Sequence, residues 1–392
     1  MNARELNPNV WWMGAQHWDR RLFDELIPLP DGTSYNAYLV QGSEKTALID
    51  TVDPTQTDVL LSQLRTVPRL DYLIVQHVEQ DHSGAVPDVL ARYPDAQIIT
   101  TPKAKDLITS HLHVAEERIT LVDDRETLSL GDRTLEFIHA PWVHWPETML
   151  TYLREDKLLF TCDFLGSHLA TTDLFATDRG RVYEAAKRYY AEIMMPFRAS
   201  IKGHLEKLES YEIAMIAPSH GPVYDDPPFI LDAYRHWVLD PPENLVVLPY
   251  VSMHGSTQQM VNHLVSALTE REIPVNPFNM TVTDLGQFAV TLVDASTIVF
   301  ATPTVLTGAH PSIVTAAYLT NALRPGLKHA AFIGSYGWAG KAEEQITGLM
   351  SSLKLEWLDP VLCRGLPTQE DLDRLDQLAD AIATRHQARN VP

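Results

Sequence analysis

The chain has 392 residues, 45% of them hydrophobic and 21% charged, and a formal net charge of −20 at pH 7. That length suits two domains, and the composition is that of an ordinary globular protein. No basic stripe could neutralise phosphates, which excludes nucleic acid as a partner, and no apolar run is long enough to span a bilayer.

In chain order, Met1-Asn2-Ala3-Arg4-Glu5 lacks the apolar core of a signal peptide, so a cytoplasmic location is expected. Short apolar runs follow, broken by turn signals such as Ile27-Pro28-Leu29-Pro30-Asp31-Gly32. Residues 35–40 alternate like a half-buried strand, and residues 46–53 read as a strand ending in acids. A helix is expected over residues 57–64.

The buried run Tyr72-Leu73-Ile74-Val75 then delivers Gln76-His77-Val78-Glu79-Gln80-Asp81-His82-Ser83-Gly84. Four side chains able to bind a metal fall within six positions. If this segment is extended, His77, Glu79 and Asp81 share a face, while His82 points elsewhere and could serve a second centre. A solvated charge run is the bland alternative, but such loops rarely mix two imidazoles with two carboxylates directly after a core strand.

Further strands are expected at Gln97–Thr100, residues 118–122 and Thr134–His139, giving two sheets sandwiched between helices. His144, Asp163 and His220 each sit just past an apolar strand, where loops carry function. Singly, each could be a structural histidine or a capping aspartate; together with the first motif they form a recurring pattern. His111, His113, His139 and His168 show no convergent spacing and read as structural or surface residues. Cys162 and Cys363 form no Cys-x-x-Cys pair and read as buried small hydrophobes.

Paired prolines after acids, Asp225-Asp226-Pro227-Pro228 and Asp240-Pro241-Pro242-Glu243, bracket a helix over residues 229–239. The boundary is placed near Pro242, separating domains of residues 1–242 and 243–392. Beyond it, a strand at residues 245–251 runs into Ser252-Met253-His254-Gly255-Ser256-Thr257 and a helix. Hydroxyls and backbone N–H groups at a helix start can hold a phosphate. Neither a P-loop nor a Gly-x-Gly-x-x-Gly fingerprint is present. Strands at residues 297–301 and 329–333 run into Thr302-Pro303-Thr304-Val305-Leu306-Thr307-Gly308 and Gly334-Ser335-Tyr336-Gly337-Trp338-Ala339-Gly340. Alternating strands and helices imply a parallel sheet, with ligands at its carboxyl edge.

The order His-x-Glu-x-Asp-His, then His, Asp and His, resembles the metallo-β-lactamase superfamily. Glu79, where the hydrolases of that superfamily usually carry histidine, makes the pattern that of the flavodiiron proteins (A-type flavoproteins). The resemblance implies an α/β chain: an N-terminal αββα metallo-β-lactamase-like sandwich followed by a flavodoxin-like doubly wound parallel sheet. It implies that His77, Glu79 and His144 hold one non-haem iron and Asp81, His82 and His220 the other. Asp163 and an oxo or hydroxo group would bridge the two.

The three later loops resemble the phosphate and isoalloxazine loops of short-chain flavodoxins, implying FMN. Ser252, His254, Ser256 and Thr257 would hold its phosphate, and Trp338 would lie against or beside the ring. Met253, Gly255, Thr302, Pro303, Thr304, Val305, Gly308, Ser335, Tyr336, Gly337, Ala339 and Gly340 complete those loops. His17, Trp145 and Tyr190 look similar to residues lining the family's substrate pocket, although buried aromatics also serve as plain packing. Carboxylate donors suit iron better than zinc. Three carboxylates and one hydroxide also neutralise two ferrous ions, which lowers the cost of burying them.

What the resemblance implies for function is electron passage through FMN to the diiron site. There dioxygen is reduced to water, nitric oxide to nitrous oxide, or both. With no rubredoxin-type cysteine pair and no added reductase domain, electrons would come from rubredoxin, a reductase or a reduced deazaflavin-type cofactor. A head-to-tail homodimer, or a tetramer built from it, is the assembly the resemblance implies. The rival readings are a zinc hydrolase fused to a flavodoxin-like module, and an electron carrier with a degenerate docking domain.

Overall fold

The computed structural model describes residues 2–338 and 340–388. The chain divides into two compact units, Met1–Tyr190 with Phe197–Leu239, and Ala191–Pro196 with Asp240–Pro392.

In the first unit, seven strands form one sheet in the order Arg4–Asn7, Val10–Trp12, Tyr38–Gln41, Thr46–Ile49, Tyr72–Ile74, Gln97–Thr100, Ile119–Leu121. Pairing is antiparallel as far as Thr46–Ile49 and parallel from there on. A second sheet runs Thr127–Ser129, Thr134–His139, Met149–Leu153, Leu158–Cys162, Met215–Pro218. Adjacent side chains on a strand point to opposite faces, and the first sheet uses both. Val40, Ile49, Ile74 and Ile99 pack with Phe137, Leu153, Leu158 and Phe160 of the second sheet. Their neighbours Leu39, Leu48, Leu73 and Ile98 pack with Leu60, Leu64, Val89 and Ile108 of the covering helices. Both faces of that sheet are therefore core, which explains why its parallel strands read as continuous apolar runs.

In the second unit a parallel sheet runs Val275–Asn279, Val246–Tyr250, Thr297–Val305, His329–Tyr336, with Glu356–Trp357 and Val361–Arg364 both pairing with the last. This 2-1-3-4-5 order is the flavodoxin-like winding. Its own core joins Val246, Leu248, Val299 and Ile333 to Leu264 and Leu268 of the helix Ser256–Glu270, and to Leu375 and Ile382 of Gln369–Gln387.

Several local expectations are corrected. Residues 80–83 are not extended: Gln80–Ser83 is a single helical turn, with Glu79 in an extended conformation at its N-cap. The first proline pair does not delay the helix, which spans Pro227–Leu239. Proline is tolerated in a first turn, where its missing N–H has no partner to lose. Residues 302–305 and 334–336 continue their strands instead of opening loops; Val305 turns back through the short pair Gly308–Ala309. Cys162 and Cys363 are free, buried thiols, as read from their spacing. Among the described residues no helix is long and apolar enough to cross a membrane.

Candidate metal centre and flavin-type cleft

The seven candidate ligands meet at the carboxyl ends of both sheets of the first unit, and they sort into two groups. His77, Glu79, His144 and Asp163 offer donor atoms that all lie within 4.8 Å of one another, and so do Asp81, His82 and His220. Asp163 faces both groups. Its Oδ2 lies 3.4 Å from His77 Nε2 and 3.5 Å from His144 Nε2. Its Oδ1 lies 2.9 Å from His82 Nε2 and 3.3 Å from His220 Nε2. Glu79 Oε2 approaches only the first pair of imidazoles, at 3.3 and 3.0 Å. Asp81 approaches only the second, with Oδ1 3.3 Å from His82 and Oδ2 3.1 Å from His220.

The helical turn explains this sorting. Rotating by about 100° per residue, it swings Asp81 and His82 away from His77 and Glu79 toward His220. Thr51 pins the turn by donating its N–H and its Oγ1 to His82 O at 2.7 and 2.6 Å. Ser83 Oγ donates to Val78 O at 2.7 Å. Asp50 is buried and accepts from Gln76 N and Gln76 Nε2 at 2.8 and 2.9 Å, which fixes the approach to His77. The 218–221 segment is gripped as firmly. Asn36 Nδ2 donates to Pro218 O and Gly221 O, both at 2.8 Å, and His220 Nδ1 donates to Ser34 O at 2.6 Å. Gly221 has φ +80, and a Cβ there would meet Ser167 Oγ at 2.1 Å, so only glycine can follow His220.

The electrostatics are those of a cation site. Burial alone would strip protons from these imidazoles, but Asp163 and Asp81 lift His220 to about 10, and Asp163 and Glu79 lift His144 to about 9. His77 and His82 are raised against burial in the same way. Burial also opposes ionisation of Asp163, yet the surrounding imidazoles hold it well below the usual carboxylate range. Despite these close approaches, both carboxylate oxygens of Asp81 and of Asp163, and both ring nitrogens of His82, are buried and form no hydrogen bond of good geometry. A buried polar atom is expected to have a partner. Two metal ions would satisfy the four carboxylate oxygens and His82 Nε2 at once, so the residues present fit a dinuclear centre.

Around the cluster, Trp145 stands edge-on to His77, ring centroids 5.0 Å apart, and also borders His144. His17 is one step removed: its Nδ1 is 3.5 Å from Tyr35 Oη, and the Tyr35 ring packs on His220. Tyr190 is not at the site. Its ring packs on Tyr234 and Trp237, and its hydroxyl donates to Trp237 O at 3.3 Å. The neighbouring Tyr189 takes that place, 4.9 Å from the His168 ring and 5.9 Å from the His220 ring. Burial, then Asp163, pushes its phenol well above the usual value. Tyr189 ends the helix Arg179–Tyr189 and Tyr190 is its C-cap, so only the helix phase separates them.

Other neighbours went unmarked in the sequence. His168, read as a structural or surface residue, is buried against His220 with Nδ1 2.9 Å from Thr33 Oγ1, and burial holds it well below its usual pKa. Asp24 lies in the turn of the hairpin Leu22–Phe23 with Ile27–Pro28, whose Phe23 packs on His168 and His220. Burial, then Glu79 and Asp81, raise its pKa. An acid in a hairpin turn carries no sequence signal of such a neighbourhood. Glu147, three residues after His144, is buried against His77.

In the second unit, Ser252, Met253, His254, Ser256, Thr257, Pro303, Thr304, Ser335, Tyr336, Gly337 and Trp338 line one cleft of about 300 Å³. Thr302 and Gly340 line an adjoining cleft with Thr304. The helix Ser256–Glu270 begins at the cleft with Gly255 at its N-cap, φ +91. Ser252 Oγ is engaged by Gln258 N at 3.1 Å, and Thr257 Oγ1 is 3.2 Å from Ser335 Oγ. Trp338 is 89% exposed beside it. Val305 and Gly308 are not among the residues lining either cleft; they pair in the strand turn, and Gly308 sits against Gln345. Ala339 lies outside the described residues. A helix start, hydroxyls and an exposed aromatic at the carboxyl edge of a parallel sheet fit a phosphorylated, planar ligand.

A family described as ODP family beta lactamase matches residues 33–221. The chain is 34% identical to the nitric oxide reductase of Moorella thermoacetica, over 97% of this chain and 98% of that one. Among solved structures, the rubredoxin oxygen:oxidoreductase of Desulfovibrio gigas gives a TM-score of 0.95 at 29% identity, covering 100% of both chains. The flavodiiron protein of Giardia intestinalis gives 0.92 at 27% identity, covering 100% of this chain and 98% of that one. With its metallo-β-lactamase-like sandwich, its flavodoxin-like sheet and these full-length likenesses, the chain belongs to the flavodiiron family of oxidoreductases.

Proposed function

We propose that residues 1–242 form a diiron domain and residues 243–392 an FMN domain. Their joint activity is reduction of dioxygen to water, of nitric oxide to nitrous oxide, or both. The observation that carries this reading is Asp163, which presents one carboxylate oxygen to each of two histidine–carboxylate groups. A carboxylate whose two oxygens face different ligand groups is placed to be shared by a pair of ions. His77, Glu79 and His144 would hold one iron, Asp81, His82 and His220 the other, and Asp163 both.

When bound, the irons and the flavin supply the electrons: one from each ferrous ion and two from reduced FMN. Dioxygen takes four electrons and four protons to give two waters; two nitric oxides take two of each to give nitrous oxide and one water. The protein's part is to hold the donors rigid, through the Thr51, Asp50 and Ser34 contacts, and to border the site with Trp145, Tyr189 and Phe23. The names of the relatives divide over the gas, one a nitric oxide reductase and one an oxygen:oxidoreductase. The dioxygen reaction is placed first because its four electrons match the charge stored in one diiron centre and one flavin.

A head-to-tail homodimer, a separate electron donor such as rubredoxin, a reductase or a reduced deazaflavin-type cofactor, and a cytoplasmic location belong to the same proposal. The deciding measurement is iron and flavin content after anaerobic reloading, followed by consumption of each gas at saturating donor. About two irons and one FMN per chain with turnover of either gas supports the reading. Unexchangeable zinc with no flavin, or no dioxygen consumption beside fast nitric oxide consumption, overturns it wholly or for dioxygen alone.

A further inference from the structure

The imidazoles of the metal centre differ in what holds their outward nitrogen. His220 Nδ1 donates to a neutral backbone carbonyl, Ser34 O, at 2.6 Å. His82 Nδ1 is buried with no hydrogen-bond partner. His77 Nδ1 alone of these three meets a carboxylate, Glu147 Oε1, at 2.7 Å.

Both residues are fully enclosed, His77 at 0% and Glu147 at 1% exposure. Burying a carboxylate is costly unless it is well paired, so its placement calls for a compensating role. No lysine or arginine is paired with it among the described contacts; its partners are His77 Nδ1 and, at 3.1 Å, Val78 N. Its other oxygen, Oε2, has no partner. The backbone is anchored as well, since Thr101 Oγ1 donates to Glu147 O at 2.9 Å and Met149 N donates to Gln76 O at 3.0 Å. One carboxylate thus ties the segment carrying His77 and Glu79 to the segment carrying His144.

We infer that Glu147 is a positioning residue: its carboxylate fixes His77 as the Nδ1–H tautomer, aims the Nε2 lone pair at the metal position shared with Glu79, His144 and Asp163, and strengthens that imidazole as a donor. A metal-bound histidine whose other N–H is held by a carboxylate is oriented and made more basic, and loss of such a partner costs about 10- to 100-fold in metal affinity. The His220 side of the centre lacks this support, so the two metal positions are unequal by construction. This inference rests on the diiron reading.

The test compares wild type, Glu147→Gln and Glu147→Ala as full chains reloaded with ferrous iron without oxygen. Iron is titrated against a competing chelator, with ⁵⁷Fe Mössbauer spectra to count the two environments. Circular dichroism and flavin content serve as controls. Glutamine keeps the shape and an acceptor oxygen but removes the charge, so a purely space-filling role would leave it like wild type. The expected result is one iron of the two weakened about 10- to 100-fold in Glu147→Gln and at least as much in Glu147→Ala. The second iron, the fold and the flavin are expected to be unchanged. Wild-type affinity at both positions in Glu147→Gln would overturn the inference, and so would equal loss of both irons with loss of fold. Failure of wild type itself to bind two irons would overturn the diiron reading beneath it.

Discussion

Removing Glu79 and removing Asp163 should have different consequences, because the two carboxylates are wired differently. Glu79 Oε2 contacts His77 and His144 only, whereas Asp163 gives one oxygen to each group. Four-ligand structural zinc sites bind with apparent free energies of about 10–16 kcal/mol, and ferrous iron binds such donors more weakly, so one ligand accounts for at most roughly 3–4 kcal/mol, or up to about 1,000-fold in affinity. Glu79→Ala is therefore expected to weaken one iron by up to that factor and spare the other. Asp163→Ala is expected to weaken both. Anaerobic ferrous titration against a chelator reads the two affinities, and flavin absorbance reads the second unit, whose separate core should keep its cofactor. Glu79→Ala losing both irons equally, or Asp163→Ala losing only one, would refute the bridging role.

Three further expectations follow from other parts of the molecule. Ser256→Glu places a negative charge in the first turn of Ser256–Glu270, facing the proposed phosphate; flavin affinity should fall about tenfold or more, with iron content unchanged. A variant that keeps its flavin at wild-type affinity would move the phosphate elsewhere. Asp71 accepts from Thr46 N at 2.9 Å and pairs with Lys45 and Arg69; burial opposes its ionisation, but these partners lower its pKa. Its stabilisation is thus present above the unfolded value of about 3.9 and lost as pH falls through the folded one. Asp71→Asn should cost about 1–2 kcal/mol at pH 7, with the gap to wild type closing below about pH 4. Denaturant unfolding across that range checks it, and a gap that widens in acid would contradict it. Finally, if electrons cross between subunits, mixed dimers of Glu79→Ala with Ser256→Glu should regain part of the activity that each lacks alone. A fully active wild-type monomer in sedimentation would refute the dimer.

Much of the site was legible because metal chemistry is concentrated in few residue types and placed at strand ends. His77, Glu79, Asp81, His82, His144, Asp163 and His220 could all be picked out from type and position, and the structure gathers all seven. The flavin-type cleft was less legible. Most of the residues expected there line two adjoining clefts, but 302–305 and 334–336 are strand and not loop, because glycine and proline turn signals were overridden by pairing with neighbouring strands. Tyr190 was chosen where Tyr189 lies, since two adjacent tyrosines are indistinguishable until the helix is docked.

What the sequence determines by itself is local: which residues can bind a cation, which runs must be buried, and where the 2.0 and 3.6 periods place side chains on strands and helices. The grouping of ligands is not local. Asp81 and His82 join His220 across more than a hundred residues because Gln80–Ser83 coils and because Ser34 and Asn36 hold the 218–221 segment in place. Glu147 against His77 is likewise a product of two sheets closing on each other, and Asp24 comes near Glu79 because a separate short hairpin, Leu22–Phe23 with Ile27–Pro28, folds over the site. A buried carboxylate looks the same in sequence as an exposed one, and only tertiary packing, by removing water, turns its charge into a directed interaction.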